Sequence, residues 1–569
     1  MVAIKGLGGF HLAVRADDEQ AVSRLRQGKR REYKPFALMC RSYESASSLV
    51  HLTGPAGVQL RSAAAPIVLA PRRRADHLAD SVAPDNHRLG VMLPYTPVHH
   101  LIFDRLDPSI DALVMTSANP SGEPLTIDNQ EALDRLGELC DALLWHDRPI
   151  YRRVDDSVLL DIAGLPPLPV RRARGYVPLA LRLPESGDDH GLCIGAELKN
   201  TIALVRDGKA ILSQHLGDLG DAGVFEYQRE TILDLIRLFD IRPKWIAHDL
   251  HPGYLGSRMA KQLSGQWDVP LIPVQHHHAH AAAVMAEYGR TDPTLAVVCD
   301  GVGYGEDGGS WGGELLLADL YSFQRLAHLS PIQLIGGDAA AVDTRRCGLA
   351  LLQLAYGDAF DSHPASAQLI PDEHERQIFS VMLRRRVNCA TTTALGRYFD
   401  GVAALLGLSM HNHFEAQSAM RLESAAYQAD VGQISTKPLF RIVVGAEHPG
   451  LIDLRPLIRT LVERRAAGEP IDHLAALFHD QVAWAFASAV LEQAERTGVC
   501  HVVLSGGVFC NERLTRRVVS RLITAGLEVM THRMVPANDG GLALGQAAIA
   551  SARWSRHFAQ QERAGALCV

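Results

Sequence analysis

Residues 294–319 have the sequence TLAVVCDGVGYGEDGGSWGGELLLAD, and the architecture of the chain follows from this stretch. Its first part, residues 294–299, is an apolar run with several β-branched residues, which is typical of a buried strand. Residues 300–313 are rich in glycine and acidic residues, and residues 314–318 have the composition of a second strand. The stretch predicts a β-hairpin whose turn carries carboxylates and lets a ligand approach the backbone closely.

The same pattern occurs once more, in residues 192–214 (LCIGAELKNTIALVRDGKAILSQ), where Asp207-Gly208 is a hairpin signal between two short strands. Each copy is followed by segments with helical periodicity, and residues 340–500 are predicted to be mostly helical. Two copies of an α/β unit that begins with a hairpin are typical of the duplicated actin/Hsp70-like (ASKHA) architecture, in which nucleotide phosphates lie between the hairpins. We therefore expect two related α/β lobes in this part of the chain.

A segment rich in proline, glycine, serine and aspartate, residues 178–191, divides the chain. Before it, short apolar runs such as residues 66–70 and 112–116 alternate with helical patterns, so this part is also predicted to be an α/β domain. The predicted organisation is a first domain at 1–180, a linker at 181–191 and a two-lobed domain at 192–569.

The composition excludes several classes of protein. With 569 residues, 47% hydrophobic and 21% charged, the chain has enough apolar material for several cores, so a disordered or fibrous protein is excluded. The net charge of -7 gives no general affinity for nucleic acids or anionic membranes. The longest neutral stretch, residues 540–552, is shorter than the roughly 18 residues of a membrane span. Nine scattered cysteines without a CxxC pair favour a reducing cytoplasm.

Three basic segments of the first domain suggest an anion-binding site. Residues 24–34 contain six cations, and two shorter basic runs lie at 152–153 and 171–174. A solvated helix face explains a single segment equally well. Three segments that converge would repel one another without a counter-ion, which indicates a polyanion such as a triphosphate. No GxxxxGK[ST] motif occurs, so a P-loop nucleotidase is excluded.

Between these basic segments, residues 116–119 (TSAN) follow an apolar strand and offer hydroxyl and amide groups that suit a phosphate or a carboxylate. The residues expected to bind the triphosphate and its co-substrate in this domain are Lys29, Arg31, Lys34, Ser117, Asn119 and Arg172.

Four of the 26 histidines are clustered in residues 275–287 (QHHHAHAAAVMAE). If this segment is helical, His276 and His280 lie one turn apart on one face, close enough to bind one metal ion. A polar helix start or chance clustering is the alternative. Divalent sites commonly include a carboxylate, and Asp300 and Asp539 are candidates, although the pattern alone does not select them over other carboxylates.

Two glycine-rich turns follow predicted strands and allow close backbone approach to a phosphate, although a simple hairpin turn explains either one alone. One contains Gly303, and the other, residues 505–511 (SGGVFCN), contains Gly506 and Gly507. Residues 308–312 (GGSWG) match the GxSxG nucleophile motif, but a strand rather than a helix follows, which argues against a serine hydrolase.

The motifs of the first domain resemble those of the YrdC-like family, which binds ATP and a carbamate-type acid in a basic cavity and forms an acyl-adenylate. The resemblance rests on Lys29-x-Arg31-x-x-Lys34-Pro35, Thr116-Ser-Ala-Asn119, Asp156-Ser157-Val and Arg171-Arg172. It implies that three cations are catalytic, because they offset negative charge as the carboxylate attacks the α-phosphate. The implied catalytic residues are Lys29, Arg31 and Lys34, and the implied nucleotide-binding residues are Ser117, Asn119, Ser157 and Arg172.

The remainder of the chain resembles the TsaD/Kae1-like carbamoyltransferase domain. The matching motifs are Gly195-Ala-Glu-Leu-Lys-Asn200, Ser213-Gln-His-Leu-Gly-Asp-Leu219, His248-Asp-Leu-His251, the His276/His280 pair, Asp300-Gly-x-Gly303, Trp311-Gly-Gly-Glu314, Gly396-Arg-x-Phe-Asp400, Ser505-Gly-Gly-Val-x-x-Asn511 and Asn538-Asp539-Gly-Gly. With a YrdC-like domain in front, these variants identify the chain as a member of the HypF-type [NiFe]-hydrogenase maturation carbamoyltransferases.

This resemblance implies an ATP- and carbamoyl phosphate-dependent carbamoyltransferase in the cytoplasm. Enzymes of this type form carbamoyl-adenylate from carbamate and deliver the carbamoyl group to the C-terminal cysteine of HypE; no membrane or nucleic acid takes part. A divalent metal ion (Fe, Zn or Mg) is implied, held by His276, His280, Asp300 and Asp539. Further nucleotide-binding residues are implied at Gly303, Asp400, Gly506, Gly507 and Asn511.

Two alternative functions share these folds. A tRNA threonylcarbamoyladenosine synthase-type fusion should carry a basic tRNA-binding face, which the net charge of -7 does not favour. A small-molecule O-carbamoyltransferase should have the two domains in the opposite order. A non-catalytic Hsp70-like scaffold leaves the histidine pair and the basic first domain unexplained. HypF-type chains normally begin with an acylphosphatase-like domain and two CxxC zinc fingers, so we expect a truncated chain that uses carbamoyl phosphate poorly unless that domain is added.

Overall fold

The computed structural model describes residues 1–566 except 74–76, 120–122, 186, 188–189, 430–436 and 444–448, and only the backbone of 558–566. The chain divides into two compact units. The first unit contains Met1–Pro273 and Arg533–Val569, and the second contains Val274–His532. The predicted domain limits stay a prediction, and residues 186 and 188–189 of the predicted linker lie outside the described residues.

The amino-terminal part of the first unit is built on a mixed nine-stranded sheet with the spatial order β7-β1-β2-β6-β3-β5-β4-β8-β9. Its strands are β1 (Val2–Lys5), β2 (Phe10–Arg15), β3 (Ala37–Cys40), β4 (Ile67–Pro71), β5 (Arg88–Met92), β6 (Ala112–Ser117), β7 (Ala142–Leu144), β8 (Val158–Leu160) and β9 (Leu168–Arg171). Its helices are α1 (Glu19–Lys29), α2 (Tyr43–Leu49), α3 (Gly54–Leu60), α4 (Pro97–Arg105) and α5 (Asn129–Leu136).

Both faces of this sheet are covered. Side chains alternate between faces along a strand, and in β2 Leu12 and Val14 belong to one apolar cluster while Ala13 belongs to another. Helix α1 begins at the Asp18 cap, whose side chain accepts from the Ala21 amide, and ends at Arg30, which has a left-handed conformation with φ 50°. This sharp ending places Lys29 and Arg31 beside the end of strand β6.

A second sheet of the first unit has six strands in the order β10-β13-β12-β11-β14-β15. Its strands are β10 (Ala180–Arg182), β11 (His190–Cys193), β12 (Ala203–Arg206), β13 (Lys209–Leu212), β14 (Trp245–Asp249) and β15 (Leu271–Val274). Helices α6 (Ala222–Phe239) and α7 (Leu255–Trp267) belong to it. The predicted Asp207-Gly208 hairpin is confirmed: both residues have positive φ, 48° and 71°, as a tight two-residue turn requires.

The second unit contains another nine-stranded sheet, in which β21-β22-β18-β17-β16-β23-β24 form the main order and β19 and β20 pair at its side. Its strands are β16 (Thr294–Tyr304), β17 (Ser310–Ala318), β18 (Phe323–Leu329), β19 (Ile332–Ile335), β20 (Cys389–Thr392), β21 (Arg441–Val443), β22 (Gly450–Asp453), β23 (His501–Ser505) and β24 (Glu528–Met530).

The predicted hairpin at 294–319 forms, but its predicted turn at 300–313 is wrong. Strands β16 and β17 continue to Tyr304 and from Ser310, so the connection is only residues 305–309. The pairing register shifts between Cys299 and Gly303, which is a β-bulge. The glycine and acidic residues that indicated a long turn therefore form a bulged strand, and Asp300 lies in the bulge.

The region predicted to be mostly helical contains most of the helices of the second unit, together with the short strands β20, β21 and β22. The helices are α8 (His276–Glu287), α9 (Ala339–Val342), α10 (Thr344–Tyr356), α11 (Pro364–Leu369), α12 (Glu373–Arg385), α13 (Leu395–Leu405), α14 (Gln417–Gln428), α15 (Arg455–Ala466), α16 (Ile471–Thr497) and α17 (Glu512–Thr524), and α18 (Leu542–Ala566) closes the first unit.

One described helix, α16, is long and apolar enough to span a membrane, which the sequence analysis did not single out. However, 78% of its most apolar window is buried inside the protein. Helices α14, α15 and α17 pack against it, so α16 is a core helix of the second unit.

Candidate functional site

Lys29 lies at the last position of α1 and is buried, with 8% of the residue exposed. Its Nζ atom donates hydrogen bonds to the carbonyl oxygens of Ser117 and Asn119, and the latter bond is 2.7 Å long. The predicted strand-end turn and the predicted basic segment are therefore in contact. Burial, followed by the charges of Arg31 and Lys34, lowers the pKa of Lys29 to about 7.

Arg31 lies next to the same strand end. Its Nη1 atom donates to the Thr116 hydroxyl over 3.2 Å, and its guanidinium lies 4.8 Å from the centre of the Phe36 ring. Burial and the nearby charges of Arg26 and Arg171 lower the pKa of Arg31 to about 10. The first and third basic segments therefore converge, which is the condition on which the polyanion hypothesis depends, while Lys34 is exposed at the edge of this cluster.

The second basic segment, residues 152–153, has other partners. Arg152 forms an ion pair of 3.1 Å with Asp234 of α6, and the Nε atom of Arg153 donates to the Leu125 carbonyl over 2.8 Å. This segment thus connects the mixed sheet region to helix α6, both of which belong to the first unit.

Two residues predicted to bind nucleotide have structural partners. Ser157 is fully buried, and its hydroxyl accepts from the Ala173 amide (2.8 Å) and donates to the Arg174 carbonyl (2.9 Å). Arg172 is 2% exposed and donates from Nη2 to the Leu179 carbonyl over 2.8 Å. Ser157 therefore holds strand β9 next to β8, and its predicted role in nucleotide binding stays a prediction.

Asp156, the first residue of the Asp156-Ser157-Val motif, lies in a buried polar cluster whose other members the sequence did not indicate. Its carboxylate lies 3.4 Å from Nε2 of His11 and 2.9 Å from Arg174, whose guanidinium stacks 3.4 Å from the centre of the Tyr95 ring. Burial by itself raises the pKa of Asp156. The hydrogen bond from His11 and the charge of Arg174 outweigh this effect and hold that pKa well below its ordinary value. The sequence signals for this cluster were the Asp156-Ser157-Val motif and the acidic pair Asp155-Asp156 in a basic domain.

The carbamoyltransferase-type motif at residues 213–219 lies against the basic cluster within the first unit. The backbone amide of His215 donates to the Arg172 carbonyl over 3.2 Å. Burial, followed by the charges of Arg171, Lys199 and Lys34, lowers the pKa of His215 well below its ordinary value. The two motif groups of the first unit therefore share one electropositive environment.

In the second unit, the predicted histidine pair meets a carboxylate. His276 and His280 lie on one face of α8, and their Nε2 atoms are 3.4 Å and 3.3 Å from Oδ2 of Asp300. All three residues are buried, and their ligand atoms lie within 4.8 Å of one another. His278, on the same helix, points elsewhere and bonds the Asp319 carbonyl through Nε2. The helical prediction for this segment is confirmed.

The carboxylate of Asp300 is oriented by backbone donors. Its Oδ1 atom accepts from the Gly301 amide over 2.8 Å and from the Gly507 amide over 3.2 Å. Oδ2 therefore faces the histidines. Gly507, predicted to bind nucleotide, uses its amide for this purpose.

The other two predicted glycines are required by close packing. A Cβ atom at Gly303 would lie 2.5 Å from the His277 ring and 2.6 Å from the His276 ring. At Gly506, which has φ 97°, a Cβ atom would lie 2.2 Å from the Cys299 carbonyl oxygen. Both glycines thus shape the region around the histidine pair, and their contact with a nucleotide stays a prediction.

Asn511 and Asp400, also predicted to bind nucleotide, are buried with protein partners. Asn511 caps α17 by accepting from the Leu514 amide over 2.9 Å. Asp400 accepts from Asn412 over 3.1 Å and lies 3.0 Å from Arg397. Burial raises the pKa of Asp400.

Asp539, the fourth predicted metal ligand, belongs to the first unit. It begins a short 3-10 turn, Asp539–Gly541, which is capped by Asn538. The Thr201 hydroxyl donates to the Gly540 carbonyl over 3.1 Å and thereby holds this turn. Its membership of the metal site stays a prediction.

Comparison with known families covers most of the chain. A model described as "Telomere recombination", for the Sua5/YciO/YrdC group, matches residues 1–173. A model described as "HypF Kae1-like domain" matches residues 187–287, and one described as "Carbamoyltransferase, Kae1-like Domain, second subdomain" matches residues 296–546.

Individual relatives are similar over nearly the whole length of this chain. Carbamoyltransferase HypF2 of Cupriavidus necator is 40% identical, over 97% of this chain and 72% of the relative. Carbamoyltransferase HypF of Rhodobacter capsulatus is 42% identical, over 97% of this chain and 71% of the relative. A crystal structure of full-length HypF in the phosphate- and nucleotide-bound form superposes with a TM-score of 0.90 at 38% identity, over 97% of this chain and 84% of that chain.

Proposed function

Because this chain belongs to the HypF family of carbamoyltransferases, we propose that it forms carbamoyl-adenylate from carbamoyl phosphate-derived carbamate and ATP and transfers the carbamoyl group to the C-terminal cysteine of HypE. The product serves [NiFe]-hydrogenase maturation. The HypF of known structure is in a phosphate- and nucleotide-bound form, which supports nucleotide use. The eight described cysteines are all free thiols, which supports a reducing cytoplasm.

The observation that carries the proposal is the partner set of Lys29. Within the described ranges, the side-chain ammonium of this buried lysine donates to carbonyl oxygens, and no carboxylate lies within ion-pair distance of it. Burying a cation without an anionic partner is costly, and neighbouring cations increase that cost. A polyphosphate supplies the missing negative charge, so the cluster is arranged to receive one.

In the first step, an oxygen of carbamate attacks the α-phosphorus of ATP. A new P–O bond forms, the bond to the bridging α–β oxygen breaks, and pyrophosphate leaves. Negative charge accumulates on the phosphoryl oxygens in the transition state. We assign its stabilisation to Lys29 and Arg31, whose positions are fixed by the carbonyl and hydroxyl oxygens at the end of β6.

The residues around Asp300 suit a divalent metal ion. Two imidazole nitrogens and one carboxylate oxygen converge within 4.8 Å, and this is a donor set that iron, zinc and related ions accept. His276, His280 and Asp300 would hold the ion, with Asp539 as the predicted fourth ligand. Such an ion supplies Lewis acidity for the carbonyl or phosphate of the adenylate.

In the second step, the thiolate sulfur of HypE attacks the carbamoyl carbon. A C–S bond forms, the C–O bond to the phosphate of AMP breaks, and AMP leaves. The contribution of this chain is to hold the adenylate in position and to exclude water from it. A cysteine of this chain is not required as an intermediate acceptor.

The test is a transfer assay with a defined acceptor. The protein is incubated with ATP, carbamate or carbamoyl phosphate, and HypE, and the carbamoyl group on HypE is located by peptide mass spectrometry. We expect modification at the C-terminal cysteine and none in a HypE variant with alanine at that position. Carbamate-dependent pyrophosphate release without any HypE modification, or modification of tRNA instead, would contradict the proposed acceptor.

A further inference from the structure

A chain of buried polar side chains leads away from His280 through its other ring nitrogen. Nδ1 of His280 lies 3.3 Å from the hydroxyl of Ser505, and this hydroxyl lies 2.8 Å from Nε2 of His532. Nδ1 of His532 lies 2.8 Å from Oε1 of Glu287. The side chains of His532 and Glu287 are each 1% exposed and Ser505 is fully buried, so water does not screen these contacts.

Both ends of this series of hydrogen-bonded side chains lie on α8, the helix that carries the histidine pair. His280 and Glu287 are seven residues apart on α8, which places them two turns apart on the same face. Ser505 ends β23, and His532 follows β24, the parallel neighbour of β23. Each lies two residues beyond the last paired positions, Val503 and Met530, and the hydrogen bond between Ser505 and His532 joins the two side chains there.

The hydrogen atoms can be arranged in one consistent direction. A His280 that offers the Nε2 lone pair to a metal ion carries its hydrogen on Nδ1 and donates it to Ser505. The Ser505 hydroxyl then donates to Nε2 of His532. Nδ1 of His532 in turn donates to the Glu287 carboxylate. In this arrangement each hydrogen bond of the series has one donor and one acceptor, and the last acceptor is the carboxylate of Glu287.

We propose that Ser505, His532 and Glu287 are positioning residues for His280: they fix its tautomer and ring orientation and increase its basicity as a metal ligand. The proposal rests on the metal site of the proposed function. Hydrogen-bonded partners of this kind orient metal ligands in proteins, and their loss typically lowers metal affinity about 10- to 100-fold.

The same three residues have the order of a hydrolase triad, and a nucleophilic Ser505 is the competing explanation. However, a nucleophile must be accessible to its substrate, whereas Ser505 is fully buried and its hydroxyl is occupied by His280 as well as by His532. These contacts favour the positioning role.

The experiment measures metal binding and not only activity. Apo-protein is titrated with Co²⁺, and both the affinity and the visible absorption bands, which report coordination geometry, are compared for the wild type, Ser505→Ala and Glu287→Gln. We expect about 10- to 100-fold weaker binding with altered bands for Ser505→Ala. A smaller loss is expected for Glu287→Gln, because the amide oxygen still accepts a hydrogen bond.

The chain offers a matched control on the same two strands. His501 of β23 and Glu528 of β24 form a similar pair of 2.8 Å, but their side chains are exposed by 30% and 57%. Glu528→Gln should bind Co²⁺ like the wild type. Thermal melting of each apo-protein shows whether a variant is folded. If Ser505→Ala does not fold, Glu287→Gln tests the proposal instead, because glutamine has nearly the size and shape of glutamate.

The outcomes separate this proposal from the metal site itself. If His276→Ala/His280→Ala retains full Co²⁺ binding, the metal site is wrong and the positioning role falls with it. If that double variant loses Co²⁺ while Ser505→Ala and Glu287→Gln bind it with wild-type affinity and spectrum, only the positioning role is wrong. Loss of carbamoyl transfer in Ser505→Ala with unchanged Co²⁺ binding would overturn it in favour of a nucleophilic serine.

Discussion

The ammonium group of Lys29 donates a 2.7 Å hydrogen bond to the backbone carbonyl of Asn119, so the end of α1 is tied to the turn that follows β6. Both recorded acceptors of this ammonium are neutral carbonyl oxygens, so in its protonated form the lysine has positive charge available to a further anion. This contact joins two motifs separated in the sequence, and it defines where the triphosphate is expected to bind.

Replacing Lys29 or Arg31 by alanine should weaken ATP binding. Each loses one charge-assisted contact worth about 1.5–3 kcal/mol, which corresponds to roughly 10- to 150-fold in affinity. Carbamate-dependent pyrophosphate release should fall at least as much. Isothermal titration and a pyrophosphate assay measure the two effects.

Arg24 on the same helix is the matched control for these variants. It is exposed and pairs with Asp141, and such a surface pair contributes little. Arg24→Ala should therefore bind ATP like the wild type. Unchanged pyrophosphate release in Lys29→Ala and Arg31→Ala would show that the triphosphate binds elsewhere.

ATP affinity should depend on the protonation of Lys29. Because burial lowers its pKa to about 7, this lysine is charged below that pH and increasingly neutral above it. Binding of a polyanion favours the charged form and takes up a proton, so affinity should fall as pH rises, by at most about tenfold per pH unit above 7. In Lys29→Arg the guanidinium stays charged, so this pH dependence of the ATP affinity should disappear. An equal pH dependence in both proteins would contradict this assignment.

Local patterns predicted much of what the structure contains. The spacing of His276 and His280 required only that the segment be helical, and the Asp207-Gly208 hairpin followed from two residues that tolerate positive φ. The convergence of two basic segments did not follow from a local pattern, because like charges repel; the sequence indicated only that such a convergence requires a polyanion. The helix and hairpin predictions both depend only on neighbours in the sequence.

Long-range contacts account for what the sequence analysis missed. Asp300 reaches the histidines because a bulge interrupts β16, and nothing in the local pattern distinguished that bulge from a turn. The sequence did not indicate that the small size of Gly303 and Gly506 is required by the His276 and Cys299 groups packed against them; their contact with a nucleotide stays a prediction. The hydrogen bond between Ser505 and His532 depends on the parallel pairing of β23 with β24, and hydrophobic periodicity does not specify which strands pair.

Removing both histidines should abolish metal binding. His276→Ala/His280→Ala deletes two of the three donors that converge in the second unit, so the protein should lose a stoichiometric divalent ion by elemental analysis. His278→Ala is the matched control, since His278 is a buried histidine of the same helix that bonds the Asp319 carbonyl instead. Metal loss in the control as well would indicate that unfolding, and not ligand removal, releases the ion.

The carboxylate of the Trp311-Gly-Gly-Glu314 motif should be required for stability. Glu314 is fully buried and accepts from Nε of Arg325 over 2.7 Å and from the amides of Gly312 and Gly313 over 3.1 and 3.3 Å. Arg325 in turn lies 3.9 Å from the centre of the Trp311 ring. The motif therefore forms a buried ion pair that joins β17 to β18.

Because breaking a buried pair leaves the remaining charge without its partner, Glu314→Leu should lower the free energy of unfolding by about 3–5 kcal/mol. Adding Arg325→Met removes the positive charge that Glu314→Leu leaves without a partner, so the double variant should be more stable than Glu314→Leu alone. Urea denaturation of the four proteins of this cycle measures the coupling, and hydrogen exchange at the Gly312 and Gly313 amides reports it locally. The partly exposed pair Arg384–Asp361 is the control, and its removal should cost less than about 1 kcal/mol. Additive losses in the Glu314 and Arg325 variants would mean that the two charges do not stabilise one another.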